Sequence, residues 1–215
     1  MDGYKNQKIA FVILNYNGYV DTINCVFSIL HNIVYPKIEV IIVDNGSQNN
    51  SVEIIKKEFM LEKHVYILEN GRNLGFALGN NIGAKYAKEK LKADFLIVSN
   101  NDTLFMQKDF VFLLLRNYDK TNFAILGPRI IDKKVGNDSS NPMREYEISN
   151  KELFFQIYKY KLLLLLNYMH IDNLFNIICK KVICLLNVKK NTGNIKKKEM
   201  VQLHGSCLVF SPKYF

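Results

Sequence analysis

Short apolar runs alternate with helical patterns along most of this chain, and this alternation constrains the fold more than any other feature. Runs of strand length occupy residues 9–14, 38–43, 65–68, 95–98 and 124–126, and helical patterns occupy residues 19–31, 51–59, 75–90 and 109–118. Strands that are apolar on both faces and alternate with helices are typical of a mostly parallel sheet covered by helices on both sides. The sequence therefore predicts an α/β fold.

Polar or glycine-rich sequence follows four of the predicted strands, at residues 15–18, 44–47, 69–73 and 100–102. The carboxyl ends of parallel strands meet at one edge of a sheet, where ligands of α/β proteins bind. Asn100 and Asp102 together offer one neutral and one anionic oxygen, enough for a divalent ion that also uses phosphates and water. We therefore predict a nucleotide site with a metal ion at this edge.

Each strand-end residue also has a plain structural interpretation. Tyr16 is either a ring for stacking on a nucleobase or a half-buried residue of a turn. Asp44 either accepts a hydrogen bond from a base or ribose or caps the helix predicted near Ser51. Asp102 is either a metal ligand or the acidic residue of a helix cap or turn. These alternatives remain open at the level of single residues.

Four glycines recur every fourth residue, at Gly71, Gly75, Gly79 and Gly83. This spacing differs from the G-x-G-x-x-G dinucleotide-binding pattern. Gly79 and Gly83 are expected to allow close packing of a helix on the sheet. Gly71 and Gly75 come earlier, where the backbone is expected to approach a ligand.

The length of 215 residues suits one domain with a sizeable core, and 48% hydrophobic residues with 12% aromatics exclude a disordered chain. The four cysteines form no C-x-x-C pair, which favours reduced thiols over disulfides or zinc ligands. The polar N-terminus lacks the apolar stretch of a signal peptide. We expect a cytoplasmic protein.

The chain changes character after Pro128. The segment between Asn141 and Met200 holds 11 Lys and Arg against 5 Asp and Glu, and so carries most of the net charge of +9. Its apolar part, residues 153–188, contains too many polar residues to span a membrane. It fits equally an amphipathic helix at the inner membrane surface and a helical hairpin packed on the sheet. We predict a core at residues 1–131, a helical insertion at 132–200, and a further strand of the core at 201–215.

Nucleic-acid binding is disfavoured, because the basic residues accompany an aliphatic segment and no basic-aromatic recognition motif is present. A nucleotidyltransferase is disfavoured as well. It would need a glycine-rich basic loop after the first strand, where this chain has Asn15, Tyr16, Asn17 and Gly18.

Four motifs in order resemble family 2 glycosyltransferases, most closely the subgroup of bacterial rhamnosyltransferases. They are FVILNYNG at residues 11–18, VIIVDNGS at 40–47, NLGFALGNNIG at 73–83 and VSNNDT at 98–103. The residue pairs 127–128 and 205–206 extend the resemblance. It implies a GT-A fold, a Rossmann-like sheet that binds a UDP- or dTDP-sugar with Mg²⁺ or Mn²⁺. It also implies transfer of the sugar, with inversion, to a saccharide or lipid-linked acceptor in cell-surface polysaccharide synthesis.

The resemblance also implies roles for individual residues. Tyr16 would stack near the base, Asp44 or Asn45 would hold the base or ribose, and Asp102 would bind the metal ion. Gly205 and Ser206 match the strand beside the acceptor. The full set of residues predicted to line the nucleotide-sugar site is Asn15, Tyr16, Asn17, Asp44, Asn45, Gly71, Asn73, Gly75, Asn81, Asn100 and Asn101.

Two departures from the family pattern alter these expectations. Asn100 stands where many members have an aspartate, so one ligand charge is absent. The family also continues into a Gly-Gly-Phe-Asp-Glu-like segment and an acidic pair with the general base, whereas this sequence ends at Phe215. An acceptor hydroxyl is a poor nucleophile without a base within reach. We therefore expect a truncated form, and the alternative function is an inactive nucleotide-sugar-binding protein.

Overall fold

The structure is a computed structural model that describes residues 6–131 and 205–214, together with the single residues 154, 157, 158 and 161. Its elements follow the predicted order. The bounds of the strands and helices before residue 127 differ from the predicted ones by at most three residues, and the last strand is shorter than the one predicted at 201–215. The elements are β1 (Ile9–Asn15), α1 (Tyr19–Asn32), β2 (Ile38–Asp44), α2 (Ser51–Glu58), β3 (Val65–Glu69), α3 (Phe76–Glu89), β4 (Phe95–Asn100), α4 (Phe110–Thr121), β5 (Ile125–Leu126) and β6 (Cys207–Phe210).

The six strands form one sheet in the order β3-β2-β1-β4-β6-β5. β1 pairs in parallel with β2 and β4, and β2 pairs in parallel with β3. β6 is antiparallel to both of its neighbours, so it enters between β4 and β5 from the opposite direction. The predicted mostly parallel α/β sheet is therefore confirmed, with β6 as its antiparallel member.

Side chains of the central strands alternate between two apolar layers, as the two-residue period of a strand requires. Phe11 and Ile13 of β1 lie in one layer, which is covered by residues of α1, α2 and α4. Ala10 and Val12 lie in the other layer, which is covered by α3. Each fully buried Phe or Ile side chain contributes about 1.5–3 kcal/mol to stability. These two layers hold the carboxyl ends of the strands in fixed positions.

Two glycines allow α3 to lie close against the sheet. A Cβ atom built on Gly83 would lie 2.5 Å from Cγ1 of Val12, and one built on Gly79 would lie 2.5 Å from Cδ1 of Leu14. Real Cβ contacts are much longer, so any larger residue would push the helix away. The predicted packing role of Gly79 and Gly83 is confirmed.

By compactness the chain divides into two units, Met1–Met143 with Leu203–Phe215, and Arg144–Gln202. All the strands and helices given above belong to the first unit. No helix in the described part of the chain has the length and apolar character needed to cross a membrane. Except for four single positions, the predicted insertion at residues 132–200 lies outside the described residues. Its boundaries and both proposed arrangements therefore stay predictions.

Candidate functional site

Four loops meet at the carboxyl edge of the sheet, one after each of the parallel strands β1 to β4. They are loop 1 (residues 15–18), loop 2 (residues 44–49), loop 3 (residues 70–75) and loop 4 (residues 100–103). The strand register aligns their starting points: Asn15 pairs with Asp44, Asp44 with Glu69, and Leu14 with Asn100. The predicted convergence of the strand-end motifs is therefore observed.

Asp44 is the acidic residue of loop 2, and its carboxylate is buried and engaged by three donors. Oδ1 accepts hydrogen bonds from Nδ2 of Asn15 at 2.7 Å and from Oγ of Ser47 at 2.6 Å. Oδ2 accepts one from the backbone N–H of Ser47 at 2.9 Å. Because hydrogen bonds to a charged group contribute about 1.5–3 kcal/mol, this carboxylate fixes loop 2 and the end of β1. Asp44 does not cap α2, which begins after Asn50.

Loop 1 is fastened to loop 2 through Asn17, a residue in the left-handed conformation with φ of 57°. Its backbone N–H donates to Oγ of Ser47 at 2.8 Å, and its Oδ1 accepts from the backbone N–H of Gln48 at 2.8 Å. Nδ2 of Asn49 donates to the Asn17 carbonyl at 3.1 Å. Asparagine tolerates this conformation better than most residues, which explains its place here.

Loop 3 is fastened to loop 2 through the buried side chain of Asn45. Nδ2 donates to Oδ1 of Asn73 at 2.9 Å and to the Gly75 carbonyl at 3.3 Å. Oδ1 accepts from Nδ2 of Asn70 and from the backbone N–H of Leu74, both at 3.1 Å. Both polar atoms of the Asn45 side chain are therefore used to hold loop 3 in place.

Gly46 brings the backbones of loops 2 and 3 into direct contact. Its φ is +77°, and a Cβ atom built on it would lie 2.4 Å from the Arg72 carbonyl carbon and 2.7 Å from the Asn73 nitrogen. Only glycine accepts this combination of left-handed backbone and backbone contact. Gly71 and Gly75 also have positive φ, but a Cβ atom on either would meet nothing within 4 Å.

Loop 4 carries an exposed acidic residue, Asp102. Asn101 anchors the loop, because its Nδ2 donates to the Thr22 hydroxyl at 3.2 Å and to the Gly18 carbonyl at 3.3 Å. Oδ1 of Asn100 is buried and has no hydrogen-bond partner among the described residues. A buried carbonyl oxygen without a donor is unfavourable, so this atom is suited to a ligand, an ion or a bound water.

The start of β6 lies beside loop 4. The Ser206 carbonyl accepts hydrogen bonds from the backbone N–H of Asn100 at 2.9 Å and from Oγ of Ser99 at 3.2 Å. The Thr103 hydroxyl reaches the same oxygen at 3.5 Å. Gly205 is exposed next to it. The pair predicted to lie on the acceptor side is thus at the same edge as Asp102, although their proposed role is not tested by this placement.

Two buried free thiols lie beneath loop 4. Burial raises the pKa of Cys25 to about 12, with smaller contributions from Cys207 and from the negative charge of Asp102. Burial likewise raises the pKa of Cys207 to about 12, although a hydrogen bond with Ser99 acts to lower this pKa. Both thiols therefore stay protonated and unreactive at neutral pH.

The residues at this edge suit a divalent ion that takes most of its ligands from a bound diphosphate. The described residues include no group of three or more His, Cys, Asp or Glu that could hold a metal by themselves. Mg²⁺ is commonly bound through one or two carboxylates with phosphates and water. The exposed carboxylate of Asp102 and the unpartnered Oδ1 of Asn100 fit that kind of site.

The predicted site residues divide by exposure. Asn15, Asp44 and Asn45 are buried at 0%, 3% and 2% exposure, and their side chains hydrogen-bond within the protein. Their direct contact with a nucleotide stays a prediction. Asn100, Asn101 and Ser206 are half-buried, and the exposed members of the set are Tyr16, Asn17, Gly71, Asn73, Gly75, Asn81, Asp102 and Gly205.

Three residues of this region carry no predicted role. Ser47 bonds both oxygens of Asp44, and its sequence signal is a serine three residues after a strand-end aspartate, a turn-forming spacing. Thr22 is a fully buried hydroxyl on the apolar stripe of α1. Asn80, beside the predicted Asn81, is buried, and its Oδ1 has no hydrogen-bond partner in the part of the chain that the structure describes. A polar residue on an apolar stripe is the signal that could have identified Thr22 and Asn80.

Residues 10–183 of the chain match the family described as glycosyl transferase family 2. The chain is 27% identical over 181 residues to glycosyltransferase GlyG of Streptococcus pneumoniae, covering 71% of this chain and 60% of that protein. It is 30% identical over 146 residues to the dTDP-rhamnosyl transferase RfbF of Shigella flexneri, covering 65% of this chain and 46% of the relative. The low-salt glycan biosynthesis hexosyltransferase Agl10 of Haloferax volcanii is 25% identical over 126 residues, which are 59% of this chain and 38% of Agl10.

Solved structures show the same fold. TarS 1-349 of S. aureus, solved with UDP-GlcNAc, superposes with a TM-score of 0.52 at 18% identity, covering 62% of this chain and 38% of that one. The mannosyltransferase PcManGT of Pyrobaculum calidifontis, solved with GDP-Man and Mn²⁺, superposes with a TM-score of 0.52 at 13% identity, covering 61% and 38%. The chain spans between 38% and 60% of the length of the three curated relatives.

Proposed function

The chain belongs to glycosyl transferase family 2, and from this premise we propose that it binds a nucleotide-sugar donor with a divalent ion and transfers the sugar, with inversion, to a hydroxyl. The observation that carries the proposal is the convergence of loops 1 to 4 on one edge, with the exposed Asp102 in loop 4. Two proteins of similar fold were solved with UDP-GlcNAc and with GDP-Man and Mn²⁺, which supports a donor of this class.

The placement of the loops supports one orientation of the donor. Tyr16 presents an aromatic side chain that is 44% exposed at the end of β1, beside loop 2, and this suits stacking against a base. The diphosphate then extends toward Asn101 and Asp102 in loop 4. The donor sugar lies between loop 4 and Ser206, on the side from which the acceptor approaches. RfbF supports a dTDP-sugar and TarS a UDP-sugar as the candidate donors.

Asp102, with the amide oxygen of Asn100, is proposed to hold the divalent ion. A bound Mg²⁺ or Mn²⁺ supplies Lewis-acid neutralisation of the charge that develops on the leaving diphosphate. The fixed loops supply orientation, because donor groups held in place cost little reorganisation when the sugar is transferred. Inversion further requires a base within hydrogen-bond reach of the acceptor hydroxyl.

The proposed acceptor is a saccharide or a lipid-linked saccharide of the cell surface, in keeping with the relatives named for glycan and rhamnose transfer. The proposed location is the cytoplasm, at the inner membrane face, supported by the basic residues between Asn141 and Met200. Sedimentation with anionic and with neutral lipid vesicles tests the location. Equal partitioning to both kinds of vesicle would contradict it.

Thermal unfolding of the whole chain with UDP, dTDP, GDP and their sugars, with Mn²⁺ and with EDTA, tests donor binding. We expect one nucleotide to raise Tm in the presence of Mn²⁺, and we expect Asp102→Ala to abolish the Mn²⁺-dependent part. Asp119→Ala, which removes an exposed carboxylate near the last turn of α4, is the matched control and should respond as the wild type does.

Failure of every nucleotide to stabilise the wild-type chain would contradict the proposal. Turnover of the stabilising nucleotide-sugar then separates a transferase from the alternative, a protein that binds the donor without reaction. Release of the nucleoside diphosphate in the presence of acceptor supports transfer, whereas binding without release supports the alternative.

A further inference from the structure

A continuous row of side-chain hydrogen bonds crosses the edge of the sheet from loop 2 to loop 4. It begins at the buried carboxylate of Asp44, which accepts from Nδ2 of Asn15 at 2.7 Å. Oδ1 of Asn15 accepts from the hydroxyl of Thr22 at 2.8 Å. The oxygen of that hydroxyl accepts from Nδ2 of Asn101 at 3.2 Å. Four side chains from β2, β1, α1 and loop 4 are thus joined in sequence.

The carboxylate at one end of the row sets the orientation of the Asn15 amide, and the Gly18 carbonyl sets that of the Asn101 amide at the other end. An ionised carboxylate only accepts hydrogen bonds, so Asn15 must turn its NH₂ group toward Asp44 and its carbonyl oxygen toward Thr22. The single hydroxyl proton of Thr22 is then directed to Asn15 or to the Gly18 carbonyl at 3.0 Å. The lone pairs of Thr22 remain for the amide of Asn101.

The bonds of Asn101 to Gly18 and Thr22 determine which of its atoms loop 4 presents to a ligand. Nδ2 of Asn101 is held by Thr22 and by the Gly18 carbonyl. Its carbonyl oxygen is therefore the atom not used in these two bonds, and it belongs to the residue next to Asp102. A side chain at position 18 would crowd this amide, since a Cβ atom built on Gly18 would lie 2.9 Å from Nδ2 of Asn101.

We infer that Thr22 is a positioning residue that couples the nucleoside-binding loops 1 and 2 to the metal- and diphosphate-binding loop 4. The inference rests on the proposed function. Thr22 is fully buried in the first turn of α1, so it does not touch the donor. Together with the Gly18 carbonyl it holds the amide of Asn101, and through Asn15 it is linked to the carboxylate of Asp44. Binding of a nucleotide at loops 1 and 2 and binding of the ion at loop 4 then reinforce each other, because both require the same arrangement of this row.

The experiment measures the Mn²⁺ enhancement, defined as the ratio of the Kd in EDTA to the Kd in Mn²⁺, by isothermal titration of the whole chain. The probes are UDP, dTDP and GDP. Thr22→Val keeps the shape of the side chain and removes the hydrogen bonds of the hydroxyl to Asn15, Gly18 and Asn101. We expect it to lower the enhancement about five- to tenfold. Thr22→Ser keeps the hydroxyl and should restore the wild-type enhancement.

Ser28→Ala is the matched control. The Ser28 hydroxyl is also a buried group of α1, and it accepts from the backbone N–H of Phe105 at 2.9 Å, just beyond loop 4. It has no part in the row from Asp44 to Asn101. We expect Ser28→Ala to lower Tm while leaving the Mn²⁺ enhancement unchanged, because the enhancement is a ratio from which uniform losses of affinity cancel.

Asp44→Asn is a second test, which acts at the far end of the row. An amide at this position can donate to Asn15, so the direction of the row is no longer imposed, and we expect the enhancement to fall about fivefold or more. Full enhancement in a folded Thr22→Val or Asp44→Asn protein would overturn the inference and leave the proposed function standing. An equal loss in Ser28→Ala would overturn it too. Absence of any enhancement in the wild type would overturn the proposed function and the inference together.

Discussion

Two parts of the same sheet edge are built in different ways. Loops 1 to 3 are closed by hydrogen bonds within the protein, with Asp44 and Asn45 buried at their centre. Loop 4 leaves its carboxylate, Asp102, exposed, and an amide oxygen of Asn100 is buried without a partner among the described residues.

The difference teaches what each part is fitted to do. Polar groups that are satisfied within the protein form a rigid cradle, which binds a ligand without first being reorganised. An exposed carboxylate can exchange its water for a ligand or ion without breaking a bond within the protein. We therefore expect substitutions of the buried polar residues of loops 1 to 3 to change stability, and substitution of Asp102 in loop 4 to change binding.

Among substitutions in loops 1 to 3, Gly46→Ala should have the largest effect on stability. The new Cβ would lie 2.4 Å from the backbone of loop 3, and residue 46 has a left-handed φ of +77°. We expect the free energy of unfolding to fall by about 4 kcal/mol, from overpacking and left-handed strain together. Urea unfolding followed by circular dichroism measures this loss.

Gly71→Ala is the control for Gly46→Ala. Its φ of +68° is also left-handed, but a Cβ atom there meets nothing within 4 Å. We expect a loss of only about 1–2 kcal/mol, from backbone strain alone. Equal losses in the two variants would mean that contact between loops 2 and 3 contributes nothing beyond strain.

Replacing Asp44 of loop 2 and Asp102 of loop 4 with alanine compares the two parts of the edge directly. Asp44→Ala removes a buried carboxylate with three donors and should lower the free energy of unfolding by about 3 kcal/mol. Asp102→Ala removes an exposed side chain and should change it by less than about 0.5 kcal/mol. Chemical unfolding without nucleotide or metal measures both values. Similar losses at the two positions would remove the contrast between the two parts of the edge.

The last expected effect concerns the titration of the thiols beneath loop 4. The pKa values of Cys25 and Cys207 are raised from 9.0 to about 12 in the folded protein. Above pH 9 the unfolded chain loses these protons while the folded chain keeps them, so the stability present below pH 9 is lost as the pH rises toward 12. At pH 10 the loss is about 1 kcal/mol for each thiol.

Unfolding free energies at pH 8 and pH 10 measure this effect, with the double variant Cys25→Ala and Cys207→Ala as the control for the titration of lysines and tyrosines. We expect a steeper fall in the wild type than in the double variant. Parallel pH profiles would show that the two thiols are more accessible to water than their burial indicates.

Much of the site was predictable because its motifs are local. The polar sequence after each strand identified loops 1 to 4, and the parallel arrangement of β1 to β4 required them to meet. The predicted packing of Gly79 and Gly83 followed from their spacing along a helix. The predicted role of Asn81 stays a prediction, and the burial of the neighbouring Asn80 was not predicted, since neighbouring residues of a helix face different surroundings.

The sequence by itself determined the order of strands and helices and the polar loops at the strand ends, because apolar periods of 2 and 3.6 residues are read from neighbouring positions. Only the tertiary structure decided that β6 enters antiparallel between β4 and β5, that Asn15 bonds Asp44, and that Asn45 is buried against loop 3. It also decided that Thr22 joins Asn15 to Asn101, a residue 79 positions away. Contacts between distant residues depend on how the layers pack, and local sequence patterns carry little information about that packing.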